Sequence, residues 1–249
     1  MGGHSHWSQV KRQKGAADAK RGQLFTKLGR ELTVAARQGG GDTEANFRLR
    51  LAVQRAREAN MPNETMERAI KRGAGGTDTA ELMEATYEGY GPGGVAVLID
   101  VVTDNRNRSV SDIRATMGRA GGSLSEAGSV AWLFDNKGLI AVNAADGDSE
   151  DLALTAIDAG AEDVDVQDSR LEVYTRAEDL EKVRQALQEQ GINIESSELT
   201  KVPKTTINLG DKEALQALRL LDKLEELDDV QRVHSNAEFP DEVLESYEG

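Results

Sequence analysis

Few side chains in this sequence are suited to catalysis, because its 249 residues include no cysteine and only three histidines. Without cysteine the chain has no thiolate nucleophile, no disulfide and no cysteine-ligated zinc. The histidines are His4, His6 and His234, which are too few for a three-histidine metal centre. His4 and His6 have no further candidate ligand near them in the sequence. We therefore expect no metal ion and no cofactor, and the chain has little from which to build a histidine-based catalytic triad.

Two further patterns are incomplete versions of known binding motifs. The run Gly89–Gly94 fits G-x-G-x-x-G, but it precedes a predicted strand instead of joining a strand to a helix, so we interpret it as a turn. The acidic runs 146–151, 162–168 and 225–229 lack the glycine turn and the terminal glutamate of a calcium loop. These runs are therefore interpreted as solvated surface charge.

One segment has side chains that could bind an anion. Thr103–Ser109 reads TDNRNRS and joins a predicted strand to a predicted helix. Asparagine and arginine side chains at a helix N-terminus suit a phosphate or a carboxylate. Capping of the helix by Asn107 or Ser109 is the alternative interpretation. The candidate anion site consists of Asn105, Arg106, Asn107 and Arg108.

The charge of the chain is divided unequally along its length. Residues 1–76 contain 15 Lys/Arg and 7 Asp/Glu, a net charge of +8, whereas residues 77–249 contain 15 and 37, a net charge of −22. The overall value of −14 hides this division. Such asymmetry indicates a basic nucleic-acid-binding region joined to an acidic body, and uneven but functionless surface charge is the alternative.

The basic region consists of a polar arm and predicted helices. Residues 1–15 have no apolar periodicity, and Trp7 within them could stack on a base or be buried against the helices. Residues 16–38 form a predicted helix with one apolar face. Its glycines, Gly22 and Gly29, predict a close packing contact. Opposite the apolar face lies a basic stripe, predicted to face solvent, of Lys20, Lys27, Arg30 and Arg37.

Two more helices complete the basic region. After Gly39–Gly41, Asp42 or Thr43 is expected to cap a helix over residues 44–59, on which Arg48 and Arg55 lie two turns apart on one side. A third helix follows Pro62 and ends at Gly73. Its Lys71 and Arg72 are positioned for a phosphate contact or for pairing with the helix dipole.

The acidic remainder alternates strands and helices. Residues 138–202 form one β-α-β-β-α-β unit, flanked by β-α-β segments over 94–134 and 205–235 that together make a second such unit. Their predicted strands include Ser129–Phe134 and Thr205–Leu209. The expected fold class is α+β, an N-terminal helical bundle followed by two ferredoxin-like α+β domains, one inserted in the other. The expected domains are 1–78, 79–136 with 204–249, and the insertion 137–203.

Several long motifs occur in order along nearly the whole chain. They are HSHWSQVKRQKGAADAKRGQLFTKLGRELTVAARQGGGD, FRLRLAVQRAREANMPNETMERAIKRG, YEGYGPGGVAVLIDVVTDNRNR, GSVAWLF and VPKTT. Together they resemble the YebC family of bacterial regulators, which has mitochondrial relatives. The sequence departs from the family pattern at Gly2 and Gly3, and at His6 where the family usually has lysine.

The resemblance implies three domains and a role in controlling gene expression, without enzymatic activity. Family members are described as DNA-binding transcriptional regulators or as translation factors acting at the ribosome. The family's basic motif falls on Lys11, Arg12, Lys14, Lys20, Arg21 and Lys27, and its central loop on 105–108.

We therefore expect a non-enzymatic, nucleic-acid-binding regulator. DNA is the first expected target, ribosomal RNA the second, and a small-ligand sensor or an enzyme a less favoured alternative. The absence of an apolar segment at the start and of any long apolar run predicts a cytoplasmic protein without membrane contact, and a monomer is expected. The predicted nucleic-acid-binding residues are Trp7, Lys11, Arg12, Lys14, Lys20, Arg21, Lys27, Arg30, Arg37, Arg48, Arg55, Lys71 and Arg72.

Overall fold

A computed structural model describes residues 18–75, 81–144, 149–167 and 170–247. These residues separate into two compact units. The inserted unit is Phe134–Lys204, and the main unit comprises the described residues up to Leu133 and from Thr205 onward. Helices come first and antiparallel sheets follow, which confirms the predicted α+β class.

The described helices and strands have the following bounds. The helices are α1 (Asp18–Gly39), α2 (Phe47–Glu58), α3 (Asn63–Gly75), α4 (Arg106–Arg119), α5 (Ser149–Asp158), α6 (Leu180–Glu189), α7 (Asp211–Glu225) and α8 (Asp241–Ser246). The strands are β1 (Met83–Tyr90), β2 (Ala96–Thr103), β3 (Ser123–Ser125), β4 (Phe134–Asn143), β5 (Asp163–Gln167), β6 (Arg170–Arg176), β7 (Ile194–Pro203), β8 (Ile207–Asn208), β9 (Val230–Ser235) and β10 (Ala237–Glu238).

Helices α1, α2 and α3 pack around a small apolar core. Leu32 and Leu49 are fully buried at its centre. Asn46, rather than Asp42 or Thr43, caps α2: its side-chain oxygen accepts from the Leu49 amide at 3.0 Å, and its side-chain nitrogen donates to the Ala35 carbonyl at 2.8 Å. One residue therefore begins α2 and also fixes it against the end of α1.

The close helix contact lies at a different glycine from those predicted. A Cβ atom on Gly22 would meet nothing within 4 Å, and one on Gly29 would make only an ordinary contact with Met61 at 3.9 Å. A Cβ atom on Gly73 would instead lie 2.2 Å from the Thr33 carbonyl oxygen. Gly73 thus allows α3 to approach the backbone of α1.

The sheet of the main unit has the order β3-β1-β2-β9, with every neighbouring pair antiparallel. Alternate residues of β2, such as Ile99, pack against α4 and α7 through Ile113 and Leu218. Glu84 lies opposite Val102 and Asp100 lies opposite Arg232, so these four residues share the other face of the sheet. That second face carries the contacts described below.

Two of the four segments predicted as strands of this sheet do not belong to it. The segment Ser129–Leu133 is a turn with a short 3-10 helix, and Phe134 begins β4 of the inserted unit. Ile207–Asn208 pairs in parallel with Ala237–Glu238 in a separate two-stranded sheet. The other two strands of the main sheet are β1 and β3 instead.

The inserted unit has the predicted order of elements, β4-α5-β5-β6-α6-β7. Its sheet order is β5-β6-β4-β7 with antiparallel neighbours, which is the arrangement of a ferredoxin-like fold. Ile140 and Val173 are opposite each other and fully buried in its core. Gly138 lies directly beneath α6, since a Cβ atom there would be 2.8 Å from the Leu180 Cβ.

Candidate nucleic-acid interface

Several predicted contact residues fall outside the part of the chain that the structure describes. These are Trp7, Lys11, Arg12 and Lys14, together with the side chain of Lys20. Arg21 is the first predicted residue with a described side chain, and it is exposed on the first turns of α1.

The described part of the basic stripe, which is Lys27, Arg30 and Arg37, faces the main sheet and its adjoining loops instead of solvent. Lys27 donates to the Glu225 carbonyl, and Arg37 donates to the Leu82 carbonyl at 3.2 Å. Arg30 donates to the Asp228 carbonyl at 2.7 Å. All three basic side chains are partly buried. The expectation that they face solvent is therefore wrong, because α1 packs on the bundle with one face and on the sheet region with the other.

The two predicted contact residues of α2 are also engaged inside the main unit. Arg48 forms an ion pair with Glu84 of β1, with its second contact at 3.1 Å. The Glu84 hydrogen bond raises the pKa of Arg48. The reciprocal bond from Arg48 lowers the pKa of Glu84, although burial opposes that shift. Arg55 contacts both carboxylate oxygens of Glu31 at 2.8 and 3.0 Å.

The candidate anion site is occupied by a carboxylate of the protein itself. Asp229, whose side chain is 8% exposed, accepts from Arg108 at 2.9 Å and from Arg30 at 2.8 Å. The hydroxyls of Ser109 and Thr103 donate to it at 2.7 and 3.0 Å. These four partners and Asp229 are named the Asp229 cluster below.

Opposing effects act on the pKa of Asp229. Burial alone raises the pKa of Asp229, but the hydrogen bonds from Ser109, Arg108 and Thr103 and the charge of Arg30 together hold it below its ordinary value. Arg30 comes from the helical bundle, and the other partners come from the sheet and α4. The cluster therefore joins these two parts of the main unit.

The remaining residues of the candidate anion site have other roles. Asn105 caps α4, since its side-chain oxygen accepts from the Arg108 amide at 3.1 Å. The capping residue is thus Asn105, not Asn107 or Ser109. Arg106 is exposed with one long contact of 3.4 Å to the Glu84 carbonyl, and Asn107 is exposed.

Among the described residues, the predicted nucleic-acid contacts that remain exposed are Arg21 and two cations near the end of α3. Lys71 and Arg72 are exposed and have no side-chain partner among the described residues. Arg57 at the end of α2 is also exposed and has no side-chain partner among the described residues, although it was not a predicted contact residue. Its spacing of seven residues from Arg50 was the available signal, but Arg50 turns back to the Thr43 carbonyl at 2.8 Å.

The described residues contain neither a metal-binding cluster nor a membrane-spanning helix. No group of three or more histidine or carboxylate side chains there is placed to hold a metal ion. Within the same ranges, no helix is both long and apolar enough to cross a membrane.

Comparisons with known proteins cover almost the entire chain. The profile described as the TACO1/YebC protein N-terminal domain matches residues 5–76, and that of the TACO1/YebC second and third domain matches residues 82–237. A probable transcriptional regulatory protein of Dehalococcoides mccartyi is 54% identical over 247 residues, which cover 99% of this chain and 98% of that protein. One from Chloroflexus aggregans is 54% identical over 251 residues and 100% of both chains.

A solved structure is similar along most of its length. The crystal structure of a conserved hypothetical protein from Aquifex aeolicus has a TM-score of 0.83 and 45% sequence identity. The match covers 90% of this chain and 93% of that chain.

Proposed function

The chain belongs to the TACO1/YebC family, and on that premise we propose that it is a DNA-binding regulator of gene expression that catalyses no reaction. It acts in the cytoplasm as a monomer. The names of its relatives, probable transcriptional regulatory proteins, support DNA as the target. Family membership itself agrees with the resemblance found in the sequence motifs.

The observation that carries the proposal is the concentration of positive charge near the start of the chain. The first 21 residues contain five Lys/Arg and one Asp. The cations that follow, from Lys27 to Arg55, are engaged with carbonyls and carboxylates of the main unit. Part of the positive charge of residues 1–76 therefore serves internal docking, which leaves a smaller set for a polyanion.

The phosphate-binding surface proposed here is that smaller set. Lysine and arginine bind phosphates by releasing condensed counterions, which requires side chains open to solvent. The acidic remainder of the chain, with a net charge of −22 over residues 77–249, disfavours indiscriminate coating of nucleic acid. The proposed phosphate contacts are Lys11, Arg12, Lys14, Lys20, Arg21, Lys71 and Arg72.

Crosslinking in cells, followed by sequencing of the bound nucleic acid, tests the proposal. Wild-type protein is expected to recover DNA fragments enriched at discrete sites. A variant with Lys11, Arg12 and Lys14 replaced by alanine is expected to recover several-fold less. The matched control replaces three exposed lysines of the acidic remainder, and it removes the same charge. These are Lys182, Lys212 and Lys223.

Two outcomes would contradict the proposal at different levels. Recovery of ribosomal RNA alone would replace DNA by RNA as the target while keeping the phosphate-binding surface. Equal loss in the arm variant and in the control would show that only total charge matters, and the assignment of the contacts would fall.

A further inference from the structure

The most exposed aromatic side chain of the main unit lies in a short turn that the phosphate contacts do not involve. Trp132 is 64% exposed and lies in the 3-10 helix Ala131–Leu133. Its indole N–H donates to the Ser129 carbonyl at 3.0 Å, and the Tyr90 hydroxyl donates to the same oxygen at 3.3 Å. Tyr90 is itself exposed. Two exposed aromatic side chains therefore adjoin one carbonyl.

A buried carboxylate fixes the turn that carries Trp132. Glu88, two residues before Tyr90 on β1, accepts from the amides of Gly128, Val130 and Ala131 at 2.6, 2.7 and 2.8 Å. Burying a carboxylate is costly unless such donors compensate it. Gly128 adopts a φ of 87°, which a side chain would strain. The rings are thus held by a rigid base and lose little side-chain entropy when they bind a ligand.

The chemistry of the two rings selects a flat ligand. Because the Trp132 N–H and the Tyr90 hydroxyl are both donated to Ser129, the indole offers chiefly its faces to a ligand. Stacking on an aromatic ring is the sequence-tolerant contact by which proteins bind unpaired nucleobases. The segment 119–132 has one charge of each sign, Arg119 and Glu126, and both residues are exposed. The carboxylate of Glu88, on the neighbouring strand β1, is bound to three amides. The segment 119–132 therefore has no net charge that would repel a polyanion.

We propose that Trp132 and Tyr90 form a stacking platform for an unpaired nucleobase of the bound nucleic acid. This inference rests on the proposed function and adds to it a contact with the bases, for which the phosphate-binding residues supply none. Arg119 ends α4 three residues before Gly122, and a Cβ atom on Gly122 would lie 2.7 Å from the Tyr90 carbonyl oxygen. Arg119 is thereby placed on the chain segment that borders the platform.

The test compares a fluorescein-labelled 12-nucleotide oligothymidine with a duplex of equal length, by anisotropy. Trp132→Ala is expected to weaken binding of the single strand by about 5-fold to 150-fold and to leave duplex binding unchanged. Trp132→Phe keeps a ring and should retain most of the affinity. Leu154→Ala, at a position 65% exposed in the inserted unit, is the matched control for loss of an exposed apolar side chain. Circular dichroism of each variant monitors the fold.

A second readout observes the platform directly. The chain has two tryptophans, so Trp7→Phe leaves Trp132 as the sole indole. Saturation of that variant with oligothymidine is expected to quench its fluorescence, and Tyr90→Phe is expected to retain the quenching because the ring remains.

Failure of this inference is distinguishable from failure of the proposed function. If wild-type protein binds both probes and the Lys11, Arg12 and Lys14 variant weakens both, the proposed function stands. If Trp132→Ala and Leu154→Ala then bound the single strand equally, and the single strand did not quench the fluorescence of Trp132, the platform alone would be overturned. This would hold even if Trp132 proved to bind a protein. If wild-type protein bound neither probe nor any cellular nucleic acid, both proposals would fall.

Discussion

Replacing Asp229 by asparagine is expected to lower the free energy of unfolding of the main unit by about 2–4 kcal/mol. The substitution keeps the shape of the side chain but removes the charge shared by Arg30 and Arg108. It also turns an N–H₂ group toward donors. Hydrogen bonds to charged groups contribute about 1.5–3 kcal/mol each, and breaking a fully buried ion pair costs about 3–5 kcal/mol. The value expected here lies below the sum of such terms because the side chains of Arg30 and Arg108 are 21% and 46% exposed, so that water can rehydrate their charges.

Urea denaturation at pH 7, followed by circular dichroism, measures this effect. Asp228→Asn is the matched control, because Asp228 is exposed and its carboxylate has one long contact of 3.4 Å, with Gln23. That variant is expected to change the free energy of unfolding by less than about 0.5 kcal/mol. Equal stabilities of the Asp228 and Asp229 variants would refute the view that the Asp229 cluster fastens the bundle to the sheet.

The pH dependence of the same variant supplies an independent check. Folding lowers the pKa of Asp229 from its ordinary value of 3.8. Its contribution is therefore complete above that ordinary value and is lost as the pH falls through the lower value of the folded state. The stability difference between wild type and Asp229→Asn should be constant from pH 7 to 5 and shrink below pH 4. A difference that widened on acidification would contradict the assigned sign.

Three more substitutions test single contacts of the main unit, and Gly22→Ala serves as the control for one of them. Gly73→Ala should destabilise the protein by about 1–3 kcal/mol, because the new Cβ would lie 2.2 Å from the Thr33 carbonyl oxygen. Gly22→Ala, where the new Cβ meets open space, should stabilise the protein by about 0.5–1 kcal/mol. Effects of the same sign in thermal denaturation would contradict this packing. Glu88→Gln should lower stability by about 1.5–3 kcal/mol and speed amide exchange in residues 128–131, and unchanged exchange there would show that the carboxylate does not hold the turn. Glu84→Gln should cost less than about 1 kcal/mol in urea denaturation, since this ion pair is partly exposed, and a loss above 2 kcal/mol would reveal a stronger bond than its exposure allows.

The inserted unit could be predicted from the sequence because its strands and helices alternate clearly. Each strand and each helix of this unit has its own apolar pattern, so local periodicity is enough to predict the order of the elements. The main sheet was harder to predict. Strand β1 reads MEATYEGY, and its polar residues Glu84 and Glu88 face the bundle and the Trp132 turn instead of solvent. Strand β3 has three residues, too few for any periodic signal.

The segment SVAWLF shows why an apolar run can mislead. Val130 and Phe134 are buried, but Trp132 between them points to solvent in a tight turn. An apolar run of this kind predicts a strand, and only the three amide donors that bind Glu88 reveal the turn. The sequence contained a tryptophan next to a predicted domain boundary, but no local pattern showed that its ring was exposed.

The basic residues were identified by type, but their partners could not be predicted. Helical spacing places Lys27, Arg30 and Arg37 on one side of α1, as the structure has them. Spacing alone does not say whether that side meets solvent or a second structural layer. The carboxylate that binds Arg30 belongs to Asp229, which lies 199 residues further along the chain. Long-range pairing of this kind leaves no local signal.

The salt dependence of nucleic-acid binding tests the central claim most directly. For wild-type protein on duplex DNA, the logarithm of the binding constant should fall linearly with the logarithm of salt concentration. Replacing Lys11, Arg12 and Lys14 by alanine should flatten that slope by about 2.7, at about 0.9 per phosphate contact. The Lys182, Lys212 and Lys223 control should leave the slope unchanged. An arm variant with the wild-type slope would contradict the claim that these side chains neutralise phosphates.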